Sequence, residues 1–193
     1  MRWPTWNDVD EELLAFLQKE SIKATFFINE RWIDENKALF LELAENRLFQ
    51  IENHGSEHLP LSVNGKSAWG IEGTASPEEV RQEVVSNQKV IAALTGRAPT
   101  FFRSGTAYYD EIAIEIVEDL GLEVVNFNIL GDAGATYSAE QVQQALLTAT
   151  AGSIALLHMN QPDSGTAEGV QQAVPELKER GFSFVKLNEH ELE

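Results

Sequence analysis

Short apolar runs alternate with segments of helical periodicity along most of the chain. Residues 8–19 place Leu13, Leu14 and Leu17 at helical spacing, and acidic residues at their start suit a helix N-terminus. Residues 23–28 follow as a β-rich apolar run that is typical of a buried parallel strand. The same alternation predicts helices over residues 35–44, 76–94, 110–120, 139–149 and 168–180, and strands over residues 49–52, 100–102, 124–130, 153–157 and 182–187.

Strands that alternate with helices predict parallel β/α units within a single domain over residues 1–193. Residues 59–77 are rich in Gly, Ser, Asn and Pro, which favours a long loop. No internal repeat or linker interrupts the pattern. We therefore expect an α/β fold, either an irregular (β/α) barrel or an open parallel sheet.

Composition and charge narrow the choice of partners. Of the 193 residues, 43% are hydrophobic and 23% are charged, as in an ordinary globular domain. A formal net charge of -17 disfavours nucleic acid and anionic membranes as partners, whereas a neutral sugar is compatible with it. The absence of cysteine excludes disulfides and thiol catalysis. No apolar run has the length of a membrane span, and residues 1–12 lack the apolar core of a signal peptide, so the location stays open.

Side chains suited to chemistry concentrate directly after the predicted strands. Functional sites of parallel α/β folds form at the carboxyl ends of strands. The residues at such positions are His54, His58, Arg103, Asp132 and His158, which include three of the four histidines. Because loop polarity alone does not concentrate histidine there, we expect these residues to share one rim of the sheet.

His54 and His58 have the spacing of two metal ligands. On a helical turn, a separation of four residues directs both imidazoles the same way, as a divalent metal requires; surface or capping histidines are the alternative. The segment also matches the H-x-x-E-H pattern of zinc peptidases, in which the glutamate is the general base. That pattern requires a long helix, which Gly55 and Pro60 disfavour, so we expect a strand-to-loop turn over residues 50–60.

The other candidates each allow a functional and a structural interpretation. His158 is either a general acid–base beside a carboxylate or a core histidine bonded to the backbone. Arg103 follows a buried strand and needs an anionic partner, in a site or in a structural ion pair. Asp132 is a site residue or a turn residue. His190 lies in a charged tail, and we expect no role for it.

Taken in order, these segments resemble the motifs of the polysaccharide deacetylases of the NodB-homology, or carbohydrate esterase 4, type. KATFFI resembles the strand after that family's first helix, NHGSEH its second motif with two metal ligands, and FFRSGTAYYD its arginine-led third motif. LGDAGAT and LLHMN resemble the fourth and fifth motifs. The resemblance covers nearly the whole chain. It implies the family's irregular barrel and a hydrolase that removes acetyl groups from an N-acetylglucosamine-containing saccharide.

The resemblance also implies a role for each matching residue. His54 and His58 would hold a divalent metal, zinc by default for histidine ligands, which polarises the acetyl carbonyl and activates water. His158 would protonate the leaving amine, and Asp132 would steady it. Arg103 would fix the catalytic base. The loop after Arg103 would stabilise the oxyanion through backbone donors. In the same loop, Gly105, Tyr108 and Tyr109 would contact the sugar. For the two tyrosines, packing within the protein is the alternative.

Two departures from the family pattern bear on activity. Ser104 stands where the third motif usually has proline, which reduces the expected rigidity of that loop. The first motif, an aspartate at a strand end before the first helix, has no match in residues 1–7, and Asp8 and Asp10 look like first-turn helix residues. The catalytic base and third metal ligand are therefore expected to be absent.

From this second departure we expect the 193-residue chain to be inactive or nearly so as a deacetylase, and a longer one to be active. A missing first strand would also leave a sheet edge unpaired, which favours homo-oligomers. A non-catalytic saccharide-binding domain is the alternative function. The resemblance implies a cell-envelope or secreted location.

Overall fold

The computed structural model describes residues 7–190, which form an α/β protein with two sheets in that range. Its helices are α1 (Glu11–Lys19), α2 (Glu30–Glu35), α3 (Lys37–Glu45), α4 (Pro77–Thr95), α5 (Glu111–Asp119), α6 (Ala139–Leu147) and α7 (Thr166–Glu179). Its strands are β1 (Ala24–Ile28), β2 (Phe49–Asn53), β3 (Phe101–Phe102), β4 (Glu123–Val124), β5 (Ile129–Leu130) and β6 (Ala155–Leu156). Among these described helices, none is long and apolar enough to cross a membrane.

The chain divides into two compact units. The continuous unit, Thr25–Asn126, carries the sheet in the order β1-β2-β3-β4 and helices α2 to α5. The discontinuous unit combines the residues up to Ala24 with those from Phe127 onward, and it carries the pair β5-β6 with α1, α6 and α7.

In the continuous unit, the parallel register brings the ends of neighbouring strands together. Asn53 of β2 pairs with Phe102 of β3, and Phe102 pairs with Val124 of β4. Phe102 is fully buried in an apolar cluster that also includes Val84 of α4. Burying side chains of this size stabilises the fold by roughly 1.5–3 kcal/mol each. The loops that follow β2 and β3 therefore begin next to each other, at the edge of this packed core.

In the discontinuous unit, α7 packs against both α1 and α6. The contact with α6 is close at Gly169, where a Cβ atom would overlap Val142. The start of α1 is joined to the segment after β6, because the Asp10 N–H donates to the Met159 carbonyl at 2.7 Å. Residues distant in the sequence thus hold this unit together.

Three sequence predictions need correction. The predicted strand over residues 124–130 is wrong, because β4 ends at Val124 and β5 begins at Ile129 in a different sheet. The strand over residues 182–187 is also wrong, since within the described chain this apolar alternation pairs with no strand and leads into a 3-10 turn, Leu187–Glu189. The third correction is an omission: the helix predicted over residues 35–44 corresponds to α3, but α2 before it was missed, although Asn29 caps α2 by accepting from the Trp32 N–H.

Two aspartates that cap helices have pKa shifts of opposite sign. Asp10 is 1% exposed and caps α1 by accepting from the Leu13 N–H, and its Oδ2 has no hydrogen-bond partner within residues 7–190. Burial raises the pKa of Asp10 from its usual value of 3.8, although the hydrogen bond from Leu13 opposes the shift. Asp110, at the start of α5, is half-buried. Burial acts to raise its pKa, but the hydrogen bonds from Val63 and Ala113 outweigh it and lower the pKa overall.

These shifts predict opposite effects of removing each charge. A raised folded-state pKa contributes stability below pH 3.8 that is lost as the pH rises through the folded pKa. We expect Asp10→Asn, which keeps a capping side chain, to gain stability relative to the parent as the pH rises from 3 to 7. Asp110→Asn should lose stability over the same interval. Thermal unfolding across this pH range measures the stability of each variant relative to the parent. If these two differences change with pH in the same direction, the opposite pKa shifts of Asp10 and Asp110 are contradicted.

Candidate active-site residues

His54 and His58 lie on the loop that follows β2, and their imidazole rings are neighbours. The ring centroids are 4.9 Å apart and the ring planes meet at 88°. Two imidazoles that bind one tetrahedral zinc at about 2.0–2.1 Å have ring centroids roughly 5 Å apart. The donor type and the separation therefore fit a shared divalent metal.

A tight loop, rather than a helical turn, brings the two histidines together. Residues 54–60 contain no helix, so the predicted strand-to-loop turn is confirmed. Gly55 has φ +80° and His58 has φ +64°, a left-handed conformation that is uncommon outside glycine. Glu57 is exposed on this loop. The helical geometry that an H-x-x-E-H peptidase requires is therefore absent from residues 54–60.

The orientation of His54 is set by the main chain after β3. Its Nδ1 lies 2.7 Å from the carbonyl oxygen of Arg103. Because a carbonyl can only accept, Nδ1 carries the proton, and Nε2 is the nitrogen with a lone pair for a metal. A fixed tautomer of this kind is the usual support of a metal-binding histidine.

Arg103 is buried, and its side chain contacts the neighbouring strand end. Its Nε donates to the Val125 carbonyl at 3.0 Å and its Nη2 to the Asn126 carbonyl at 2.8 Å. The guanidinium carbon lies 4.4 Å from the centroid of the Phe27 ring. Burial lowers the pKa of Arg103 to about 10, against an opposing effect of Tyr109, so the side chain stays cationic at neutral pH. Its predicted role in fixing a catalytic base stays a prediction.

The loop after Arg103 is held by hydrogen bonds where the family usually has proline. The Ser104 N–H donates to the Tyr109 hydroxyl at 2.7 Å, and the Ser104 hydroxyl donates to the Tyr108 carbonyl at 2.9 Å. The ring of Tyr109 packs against the apolar cluster, and burial raises its pKa to about 12. These contacts favour packing over sugar contact for Tyr109. The ring of Tyr108 lies 5.4 Å from the Lys66 ammonium.

Gly105 lies against His58. A Cβ atom at Gly105 would overlap the carbonyl group of His58 and the Cγ atom of its imidazole. The close approach therefore requires glycine at this position. The predicted contact of Gly105 with the sugar stays a prediction, and its observed neighbour indicates that Gly105 shapes the histidine pair.

Asp132 and His158 form a hydrogen-bonded pair in the discontinuous unit. The parallel pairing of Leu130 with Leu156 places the ends of β5 and β6 side by side, and each residue follows one of these strands. Asp132 is fully buried, and its Oδ1 lies 2.8 Å from His158 Nδ1. Its Oδ2 accepts from the His158 N–H at 2.7 Å and from the Thr166 hydroxyl at 3.0 Å. The carboxylate can thus fix the imidazole with Nδ1 protonated, which leaves Nε2 for proton transfer.

The structure brings the sequence-predicted residues together in two sets. His54, His58, Arg103 and Gly105 are neighbours in the continuous unit, and Asp132 and His158 are neighbours in the discontinuous one. Across residues 7–190, no group of three or more His, Cys, Asp or Glu side chains has metal-binding geometry. His190 is exposed. Sequence reasoning missed Glu83, a buried acid of α4 that accepts hydrogen bonds from the loop carrying the histidines.

The α/β fold matches solved structures of carbohydrate esterase family 4. The chain belongs to the polysaccharide deacetylase family, whose model matches residues 3–125. The predicted family and the α/β fold class are thereby confirmed, whereas closure of the strands into a barrel stays a prediction.

Curated relatives carry deacetylase names. Over 185 residues the chain is 26% identical to the peptidoglycan-N-acetylglucosamine deacetylase PgdA of Listeria monocytogenes, covering 95% of this chain and 36% of the relative. It is 24% identical over 184 residues to a bifunctional xylanase/deacetylase of Pseudobutyrivibrio xylanivorans, covering 95% of this chain and 28% of that one. The chain therefore spans about a third of the length of these relatives.

Solved structures of the same fold include proteins named as enzymes and one named as a pseudoenzyme. The TM-score is 0.81 with a peptidoglycan N-acetylglucosamine deacetylase, at 21% identity over 94% of this chain and 80% of that one. It is 0.78 with a family 4 acetyl xylan esterase from Clostridium thermocellum in complex with cobalt, at 26% identity over 93% and 82%. It is also 0.78 with a CE4 family pseudoenzyme from Bacillus anthracis, at 22% identity over 98% and 62%.

Proposed function

We propose that this protein is a metal-dependent deacetylase that hydrolyses an acetyl group of an N-acetylglucosamine-containing saccharide. The observation that carries the proposal is the pair His54 and His58, with ring centroids 4.9 Å apart on a loop at the end of a parallel strand. Membership of the polysaccharide deacetylase family supports the reaction class. The names of the peptidoglycan deacetylase relatives support the substrate class and a cell-envelope location.

In this proposal, the residues of the chain would hold the metal and protonate the leaving amine, while the proton that water loses would pass to a carboxylate base of the kind that the family's first motif supplies. A bound divalent metal, zinc by default for imidazole ligands, supplies polarisation of the acetyl carbonyl and activation of water. His54 presents Nε2 to it, because the Arg103 carbonyl holds Nδ1. His158 donates the proton on its Nε2 to the leaving amine nitrogen, and Asp132 stabilises the imidazolium before this transfer.

A second candidate is a saccharide-binding domain without turnover. It is favoured by the described residues around His54 and His58, which include no third side chain in metal-binding geometry. It is also favoured by the likeness in fold to a family pseudoenzyme. The two candidates share the sugar and differ in whether acetate is released.

We expect His54 and His58 to take up zinc at less than full occupancy, because two imidazoles bind more weakly than the usual set of three protein ligands. Elemental analysis after dialysis against dilute zinc measures the occupancy. His54→Ala should abolish it, and His190→Ala, which removes an exposed histidine, should leave it unchanged. Full occupancy that survives His54→Ala would place the metal elsewhere.

Release of acetate from an N-acetylglucosamine tetramer separates the two candidates. The assay uses the 193-residue chain and, where the gene encodes residues before Met1, the longer chain, each with zinc or cobalt. If either chain releases acetate and His54→Ala abolishes that release, the deacetylase is supported. Zinc uptake and tetramer binding without release by either chain support the binding domain instead.

A further inference from the structure

Glu83 is an acidic residue buried inside the protein, and its partners all belong to one loop. The histidine loop is defined here as residues 54–59. Glu83 lies on α4 and is 4% exposed. Its carboxylate accepts from the Ser56 hydroxyl at 2.7 Å, from the Glu57 N–H at 3.0 and 3.1 Å and from the Leu59 N–H at 3.1 Å. These donors include the residues on either side of His58.

The backbone at Glu83 and the conformation of Gly55 strengthen this connection. The Ser56 N–H donates to the Glu83 carbonyl at 3.0 Å, so one residue binds the histidine loop through main chain and side chain. A Cβ atom at Gly55 would overlap the Glu83 carboxylate, and Gly55 has φ +80°. Glycine therefore gives the carboxylate room to approach the loop and allows the turn that the loop needs.

The next turn of α4 holds the start of the same loop. Asn53 is fully buried, and its amide donates to the Val84 carbonyl at 2.9 Å. Asn87 donates at 2.9 Å to Asn53 Oδ1, which also accepts from the Gly55 N–H at 2.9 Å. The polar face of α4 thus fixes the loop where it leaves β2, and Glu83 fixes it around His58.

We propose that Glu83 is a positioning residue that sets the relative geometry of His54 and His58 for metal binding. The proposal rests on the metal site proposed above. A carboxylate that accepts from several donors fixes their directions. Two of the donors to Glu83 are the main-chain N–H groups on either side of His58, and the φ of +64° at His58 is a strained backbone conformation that these hydrogen bonds help to hold. Supporting groups of this kind adjust metal affinity without touching the metal.

The test compares Glu83→Gln with Glu78→Gln, an exposed glutamate in the first turn of the same helix. The amide of Gln keeps the shape but puts an N–H₂ group where donors converge. We expect Glu83→Gln to weaken zinc binding about 10–100-fold and to change the visible absorption spectrum of the cobalt-loaded protein. Glu78→Gln should leave both unchanged, and Glu83→Asp should restore part of the affinity.

Imidazole resonances in NMR spectra of the metal-free protein separate the possible failures. We expect Glu83→Gln to shift the resonances of His54 and His58, and the milder Ser56→Ala serves if Glu83→Gln does not fold. If the parent binds no cobalt, the proposed metal function fails. If the resonances of His54 and His58 are also unshifted in Glu83→Gln, the positioning role fails as well. A lower melting temperature with unchanged zinc affinity, cobalt spectrum and histidine resonances would show that Glu83 only stabilises the fold.

Discussion

His158→Ala is expected to reduce acetate release by about 10²–10⁴-fold, the usual contribution of a positioned proton donor. The prediction applies to whichever chain, 193 residues or longer, releases acetate from the N-acetylglucosamine tetramer. Zinc uptake by His54 and His58 should be unchanged, because His158 belongs to a different set of contacts. Substantial release by His158→Ala would remove His158 from the reaction.

Asp132→Asn tests whether the carboxylate of Asp132 sets the tautomer and orientation of the His158 imidazole. The amide keeps the size of Asp132 but no longer offers two acceptor oxygens to the His158 N–H, the His158 Nδ1 and the Thr166 hydroxyl. We expect a comparable loss of acetate release. A measurement that does not require turnover is the imidazole nitrogen NMR spectrum of His158, which should show a proton on Nδ1 in the parent and a mixture of tautomers in Asp132→Asn.

Gly105→Ala is expected to disable metal binding while leaving most of the fold intact. The added methyl group would overlap the carbonyl group of His58, and a backbone group cannot rotate away as a long side chain can. His58 must therefore shift, whereas metal sites tolerate deviations of only about 0.2 Å. We expect zinc affinity to fall at least tenfold, consistent with the 10–100-fold effect of disturbed supporting contacts, as measured by competition with a chelator.

Gly169→Ala is the control for overpacking. Its methyl group would overlap Val142 at the contact between α6 and α7, in the discontinuous unit. Both variants should lose about 1–3 kcal/mol of unfolding free energy, as overpacked sites commonly do. Only Gly105→Ala should lose zinc affinity. Equal zinc affinity in the two variants would show that Gly105 does not control the position of His58.

The sequence revealed the candidate catalytic groups because strand ends are recognisable from apolar runs. His54, His58, Asp132 and His158 each follow such a run, and histidine is uncommon enough to be conspicuous there. Glu83 was missed for the opposite reason. Within a helix of mixed polarity, it has the pattern of a solvated residue, and only its hydrogen bonds to residues 56–59 reveal its place.

Helices were easier to predict than strands, because their periodicity is local. The N-cap residues Ser76, Asp110 and Ser138 each accept from a backbone N–H in the first turn, and all three lie next to or at predicted helix starts. A strand also depends on its partner. Residues 124–130 are largely apolar apart from Asn126 and Asn128, yet the Asn128 side chain accepts from the Ile154 N–H at 2.8 Å, where a new pairing begins. Strand pairing of this kind cannot be read from the run itself.

The discontinuous unit has a consequence for biosynthesis. The continuous unit, Thr25–Asn126, is complete as soon as its own residues have left the ribosome, whereas α1 packs on α7. Between the end of α1 at Lys19 and the start of α7 at Thr166, translation at roughly 5–20 residues per second takes about 7–30 s. During that interval the apolar face of α1, with Leu13, Leu14 and Leu17, has no α7 to cover it, and nascent chains should be most accessible to chaperones there.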